Sequence, residues 1–215
     1  MSMRNQKGQA IFTQSMIAVV IAAMLIGGIM SIFISGTRFY AVHNAYIQAS
    51  VTAENAVTKL ANVIRRAKKD TIVLNKDGNL FSCQMPLGID SDGDIQLGVI
   101  LSSGISKDKW KIAYKNVNVS GMGESSHPDL VKEIYRYIGT NTWALATDTL
   151  SLNDSASNSL ADVSVTITGY LIDQTGSISE TTVKPDFVVI NATAYKKAGK
   201  TAISVNKTIS VEVKN

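Results

Sequence analysis

Lys7-Gly8-Gln9-Ala10-Ile11-Phe12-Thr13-Gln14-Ser15-Met16, running directly into IAVVIAAMLIGGIMSIFI at residues 17–34, is the stretch on which the fold turns. No charged residue stands between Gly8 and Thr37, and Arg38 is the first to follow. About 20 apolar residues at ~1.5 Å each cross a hydrocarbon layer of ~30 Å, so residues 16–34 read as a membrane helix by length. A cleaved secretory signal has a shorter apolar region, roughly 7 to 15 residues, followed by a small-residue site. Here the small residue, Gly8, precedes the apolar run. Arg4 and Lys7 place the N-terminus on the cytoplasmic side and everything after Arg38 outside, by the excess of basic residues on inner loops.

Outward from this stretch, residues 38–69 contain no Pro and no Gly. Phe39, Val42, Tyr46, Ala49, Ala53, Ala56, Leu60, Val63 and Ala67 recur at spacings of three and four, which is one helical stripe. With no breaker between stripe and membrane run, the pattern predicts a single helix over 9–69, about 60 residues and ~90 Å long. Lys68 and Lys69 suit its C-terminal dipole, and Asp70 begins the exit. Ala49, Ala53 and Ala56 are poor seam residues for an isolated coiled coil and suit close packing under a sheet.

From Asp70 onward the period changes to two. Residues 71–74 and 79–83 around Asn75-Lys76-Asp77-Gly78 predict a hairpin. Strands are expected at 95–101, 110–119, 161–172, 187–195 and 202–213, the last with strict alternation, while 130–138 reads as either a strand or a short helix, its Tyr and Ile content favouring strand. One helix followed by many strands makes the class α+β, with the C-terminal half of a membrane-spanning helix packed on an antiparallel β-sheet domain.

A chain of 215 residues, 45% hydrophobic, accommodates one such helix and one modest domain. The net charge of +4 is spread along the chain beyond Arg65, Arg66, Lys68 and Lys69. That is not the dense, aromatic-interleaved stripe of a nucleic-acid site. The basic run at Lys196, Lys197 and Lys200 has the charge to touch phosphate, and equally the look of a solubilising hairpin tip. Cys83 is the only cysteine, which excludes an intrachain disulfide, and His43 and His127 form no zinc spacing with it.

No phosphate loop, no G-x-S-x-G and no His beside an acid and a nucleophile is present, so the chain reads as a non-enzyme without a cofactor. Asp90, Asp92 and Asp94 alternate in DSDGD and have the spacing to converge on calcium. Ile95 and Leu101 nevertheless stand where an EF-hand needs Gly and Glu, and a solvated turn uses the same residues. Asn118, Asn153, Asn191 and Asn206 each open an N-x-S/T triplet, expected by chance in a chain rich in these residues.

A short basic leader ending in Lys7-Gly8 before an apolar helix that is kept resembles the type IV pilins and pseudopilins. The order of the later pieces extends the resemblance: AVTKLANVIRRAKKD, then Ile112 to Tyr114, Ile134 to Arg136, Leu145-Ala146, and a last strand running to Val213-Lys214-Asn215. Within the family these are most similar to the J-type minor pseudopilins of type II secretion and their pilus counterparts. The resemblance implies a leader at 1–8, a transmembrane and filament-core helix half at 9–37, and an extracytoplasmic pilin-like domain at 38–215. It further implies cleavage between Gly8 and Gln9 by prepilin peptidase, and N-methylation of Gln9. Partners would be membrane lipid first, then an inner-membrane assembly platform and other pilin subunits through their N-terminal helices.

Two positions depart from the pattern. Gln9 replaces the usual Phe or Met, and Thr13 stands where the family has an assembly Glu. A carboxylate in hydrocarbon survives only when paired, and Thr13 cannot make that pair. Members without it tend to be minor subunits at a filament tip. The resemblance also implies that Gly27, Gly28 and Gly36 ease local unwinding of the helix, close helix packing through small residues being the alternative, and it admits an irregular calcium loop at Asp90, Asp92 and Asp94. The alternative from another class is an uncleaved, membrane-anchored binding protein that keeps residues 1–8; a DNA-uptake role through Lys196, Lys197 and Lys200 is a third.

Overall fold

The structure, a computed structural model, describes residues 3–101, 104–118, 128–146 and 160–214, with side chains from Phe12 onward. It opens with helix α1 (Met3–Arg66), 64 residues that rise about 96 Å at 1.5 Å each. The strands that follow are β1 (Val73–Leu74), β2 (Phe81–Cys83), β3 (Met85–Ile89), β4 (Ile95–Ile100), β5 (Ser106–Asp108) and β6 (Trp110–Asn118). After them come β7 (Pro128–Gly139), β8 (Thr142–Leu145), β9 (Val163–Ile172), β10 (Ile178–Thr181), β11 (Phe187–Ala198) and β12 (Thr201–Glu212). They form three antiparallel sheets, ordered β1-β2-β6-β7-β8, β10-β9-β11-β12 and β3-β4-β5. A long apolar helix on antiparallel sheets is the expected α+β architecture, and it is consistent with a pilin-like fold.

The four-stranded sheet carries the helix, which lies across β11 and β12. Val188, Ile190, Ala192 and Ala194 of β11 alternate inward and pair in register with Val211, Ile209, Lys207 and Val205 of β12. On the helix, Ala49, Ala53, Ala56, Leu60, Ala61 and Ile64 are completely buried. Their i, i+3, i+4 spacing puts them on one face, and the run of alanines lets the helix axis come close to the sheet. Val163, Val165 and Ile167 of β9 and Phe81, Ile112, Tyr114 and Leu130 of the five-stranded sheet complete a single core.

The two larger sheets are tied by a side chain. Asn116 of β6 donates its amide to the Val165 carbonyl at 2.8 Å and accepts the Val165 N–H at 3.1 Å, continuing the ladder on the edge of β9 that faces away from β11. Asn116→Ala leaves both backbone groups without these partners, at about 1–3 kcal/mol for an unsatisfied buried group. Thermal unfolding of the detergent-solubilised full chain, followed through Trp110 and Trp143 fluorescence, is expected to show a clearly lower midpoint for Asn116→Ala.

Helix bounds differ from expectation at both ends. The C-terminus falls at Arg66 and not at Lys69. Lys68 turns to an extended conformation and its N–H bonds the Gln84 carbonyl, while the Thr71 hydroxyl donates to the Lys68 carbonyl and accepts the Gln84 N–H; Lys69–Thr71 become a 3₁₀ turn. Contacts distant in sequence, with no Gly or Pro to announce them, end the helix. At the other end the helical backbone begins at Met3, so it includes Gly8 and runs past the expected start at Gln9. It is also continuous through Gly27, Gly28 and Gly36, and a Cβ added at any of the three would meet nothing within 4 Å. Within one chain these glycines serve no packing need.

Candidate functional site

The dominant functional feature is the part of α1 that the sheets leave uncovered. Every described side chain over residues 12–44 is exposed, and the first buried helix residue is Ala45. Phe12, Met16, Ile17, Ile21, Met24, Leu25, Ile29, Ile32 and Phe33 point outward around the whole circumference of the helix. About 33 residues at 1.5 Å leave roughly 50 Å of helix bare, namely an apolar rod at 12–37 and a short continuation beyond it. Among the described residues this is the one helix long and apolar enough to cross a membrane. A soluble protein does not leave a contiguous apolar surface of this size in water. A surface of this kind is consistent with hydrocarbon or other apolar helices around the segment.

The first buried side chain of α1, Ala45, comes seven residues after Arg38. Phe39 and Tyr40 are 74% and 72% exposed, so the seven residues 38–44 form a neck between the apolar rod and the packed half. Thr13, at the position of the family's assembly Glu, is exposed on the rod, and the Thr37 hydroxyl donates back to the Ile34 carbonyl at 2.9 Å. The side chains of Arg4, Lys7, Gly8 and Gln9 lie outside the described residues.

Asp90, Asp92 and Asp94 form the tight connection between β3 and β4. Asp90 Oδ1 accepts the N–H groups of Asp92 at 3.1 Å and Asp94 at 2.9 Å, and the Asp90 N–H donates to the Asp94 carbonyl. Gly93 supplies the positive φ of 86° that the turn requires. One oxygen of the first carboxylate is thus occupied by the loop's own amides. Among the described residues no group of three or more His, Cys, Asp or Glu side chains is arranged to hold a metal ion.

Cys83 is fully buried in the core, and burial alone pushes its thiol pKa up to about 12, far from a reactive thiolate. His43 is exposed on the neck and stacks on Phe39, with ring centroids 6.1 Å apart; His127 lies outside the described residues. Lys196 is bound to the Asp162 carboxylate at 2.7 Å, whereas Lys197 and Lys200 are exposed at the β11–β12 tip. Asp186 accepts the Ile172 N–H and the Lys69 ammonium, and these bonds hold its carboxyl below the usual range. That arrangement pins the strand end to the helix exit and is structural.

One cleft was not foreseen. Tyr137 and Trp143, edge to face at 5.4 Å, line a cavity of about 520 Å³ with Gln84, Asp90, Gln96, Asp108 and Lys109. It forms only because β8 folds back on β7 beside the small three-stranded sheet. The tryptophan in TNTWAL, next to a turn, was the available signal.

No protein-family model, curated protein or solved structure matches this chain. The architecture itself, a bare apolar half-helix continuous with a half-helix packed on antiparallel sheets, is consistent with a pilin-like fold.

Proposed function

We propose that the protein is a structural, non-catalytic subunit of a pilin-like filament, either a minor pilin of a type IV pilus or a minor pseudopilin of a type II secretion-like assembly. The bare apolar half of α1 carries this reading. A helix that only anchored a domain would need the ~20 residues of a membrane span and a short linker. This one continues without a break into the core of the domain, which supports a role for the rod beyond anchoring.

In the membrane the rod is surrounded by lipid, with the N-terminus in the cytoplasm and the sheets outside. In the filament the rods of neighbouring subunits replace lipid, and the sheets supply the outer surface and lateral contacts. Prepilin peptidase cuts between Gly8 and Gln9 and Gln9 is N-methylated, freeing the helix for extraction by the assembly platform. Thr13 places no carboxylate in the rod, which fits a subunit at or near the tip.

Intact-mass and N-terminal analysis of the membrane-extracted chain, with and without coexpressed prepilin peptidase, tests the proposal. The expected product begins at Gln9, lacks residues 1–8 and carries one added methyl group; Gly8→Val abolishes its formation. A chain that keeps its first eight residues beside an active peptidase would establish the second reading, an uncleaved anchored binding protein. The Tyr137–Trp143 cleft is the observation that favours that alternative.

A further inference from the structure

β11 and β12 pair in an unbroken register of opposed residues out to Ala198 and Thr201, leaving only Gly199 and Lys200 as the connection. Gly199 has φ of 61°, the positive value that a two-residue turn with glycine first requires. This rigid tip does not end over the packed part of the helix. It reaches down along the neck, where Ala198, Gly199, Lys200 and Thr201 border one cleft with Arg38, Ala41 and Val42. Arg38 is four residues beyond Ile34, about 6 Å along the axis from the last residue of the apolar run. The headgroup layer on each side of a bilayer is about 5–8 Å thick. Hairpin tip and neck thus fall at headgroup level when the rod is in a membrane.

The chemistry at this level is uniform. Arg38, Lys197 and Lys200 are exposed, and neither residues 8–53 nor residues 187–211 contain a carboxylate. Lys196, the remaining lysine of the tip, is the one already engaged by Asp162. Phe39 and Tyr40 project from the same turn of the neck, as aromatic side chains do at membrane interfaces.

We propose that Lys197 and Lys200 at the hairpin tip, together with Arg38, form a basic collar that docks on anionic phospholipid headgroups and fixes the height and tilt of the sheet domain above the bilayer. The inference rests on the membrane-spanning reading of α1. Duplex DNA presents similar phosphate chemistry, but a collar at the foot of the domain and level with the headgroups fits a lipid surface.

The test uses the full chain with Thr201→Cys carrying an environment-sensitive fluorophore, since native Cys83 is buried. It is reconstituted into vesicles of phosphatidylcholine alone or phosphatidylcholine with phosphatidylglycerol. A second probe at Ser177→Cys, beyond the opposite end of β9, is the reference. With phosphatidylglycerol, acrylamide quenching of the Thr201 probe is expected to fall at least about two-fold while the Ser177 probe is unchanged. The protection is expected to vanish in Lys197→Gln/Lys200→Gln and in about 1 M salt, where the screening length is about 3 Å. Equal quenching in both vesicle types, with the chain floating with the vesicles, overturns the collar and leaves the membrane reading standing. Failure to float overturns both. Protection of the tip by duplex DNA but not by phosphatidylglycerol assigns the lysines to nucleic acid and overturns the lipid assignment.

Discussion

Leu60→Asp is expected to unfold the sheet domain at neutral pH while leaving the apolar rod inserted. Leu60 is fully buried, in the same core as Ile64, Ile190 and Val211. That core is made of apolar side chains, and among the described residues the one buried lysine, Lys132, already has an interaction of its own. An unpaired buried charge costs several kcal/mol after relaxation, against a total stability of about 5–15 kcal/mol for a domain of this kind. Leu60→Ala separates shape from charge, with an expected loss of about 2–5 kcal/mol. At roughly 2–4 °C per kcal/mol that lowers the midpoint by about 4–20 °C.

The aspartate variant adds a signature that the alanine variant lacks. Burial disfavours the carboxylate, so the folded-state pKa of Asp at position 60 lies above its unfolded value. Below the unfolded pKa both states are protonated and the charge penalty is absent; as pH rises toward the folded pKa the penalty grows and then levels off. Leu60→Asp is therefore expected to regain much of its loss near pH 4, with the Leu60→Ala difference unchanged. Thermal unfolding of both full-length variants in detergent at pH 4 and pH 7 measures this. A Leu60→Asp midpoint that does not depend on pH would mean that water reaches position 60.

How much of this was legible in sequence depends on how much of each element is periodic. The helix stripe at three and four announced α1, and alternation announced β6 and β12; Tyr and Ile content tipped the ambiguous residues 130–138 toward β7, and β9 and β11 also read as strands, all within a few residues of their observed ends. β3, β5, β8 and β10 gave no such signal. β3 contains Pro86 and Gly88 with a bulge between them, β5 is Ser-Lys-Asp, and β10 is exposed or half-buried throughout. Such edge strands are fixed by the neighbours they pair with. Sheet order was equally hidden, because β2 joins β6 across the whole three-stranded insertion. Asn116 could not be foreseen as a clasp, since its partner Val165 is 49 residues away. The acidic loop was legible as turn chemistry, whereas a leader at 1–8 is an expectation from the Lys7-Gly8 resemblance alone, and the side chains there lie outside the described structure.

The second large effect concerns the rod. Ile21→Arg/Leu25→Arg is expected to remove the chain from the membrane without disturbing the sheet domain. The two positions are one helical turn apart near the middle of residues 16–34, and in the isolated chain both are more than half exposed. At the centre of a membrane helix each arginine costs about 2.5–3.5 kcal/mol, so the pair opposes insertion by about 5–7 kcal/mol. A rotation that lets one guanidinium snorkel to a headgroup does not rescue two on the same face at mid-depth. Every described side chain of this segment is exposed, and it ends 11 residues before Ala45, the first buried residue of the helix, so the midpoint of domain unfolding should stay within error of the parent chain. Alkaline-carbonate extraction of membranes reads the first effect and tryptophan fluorescence the second. Ile21→Ala/Leu25→Ala, which keeps the helix apolar, is expected to remain in the pellet. If the arginine pair stays in the membrane fraction while the domain remains folded, the rod is not the anchor, and the filament reading loses its central support along with the lipid collar.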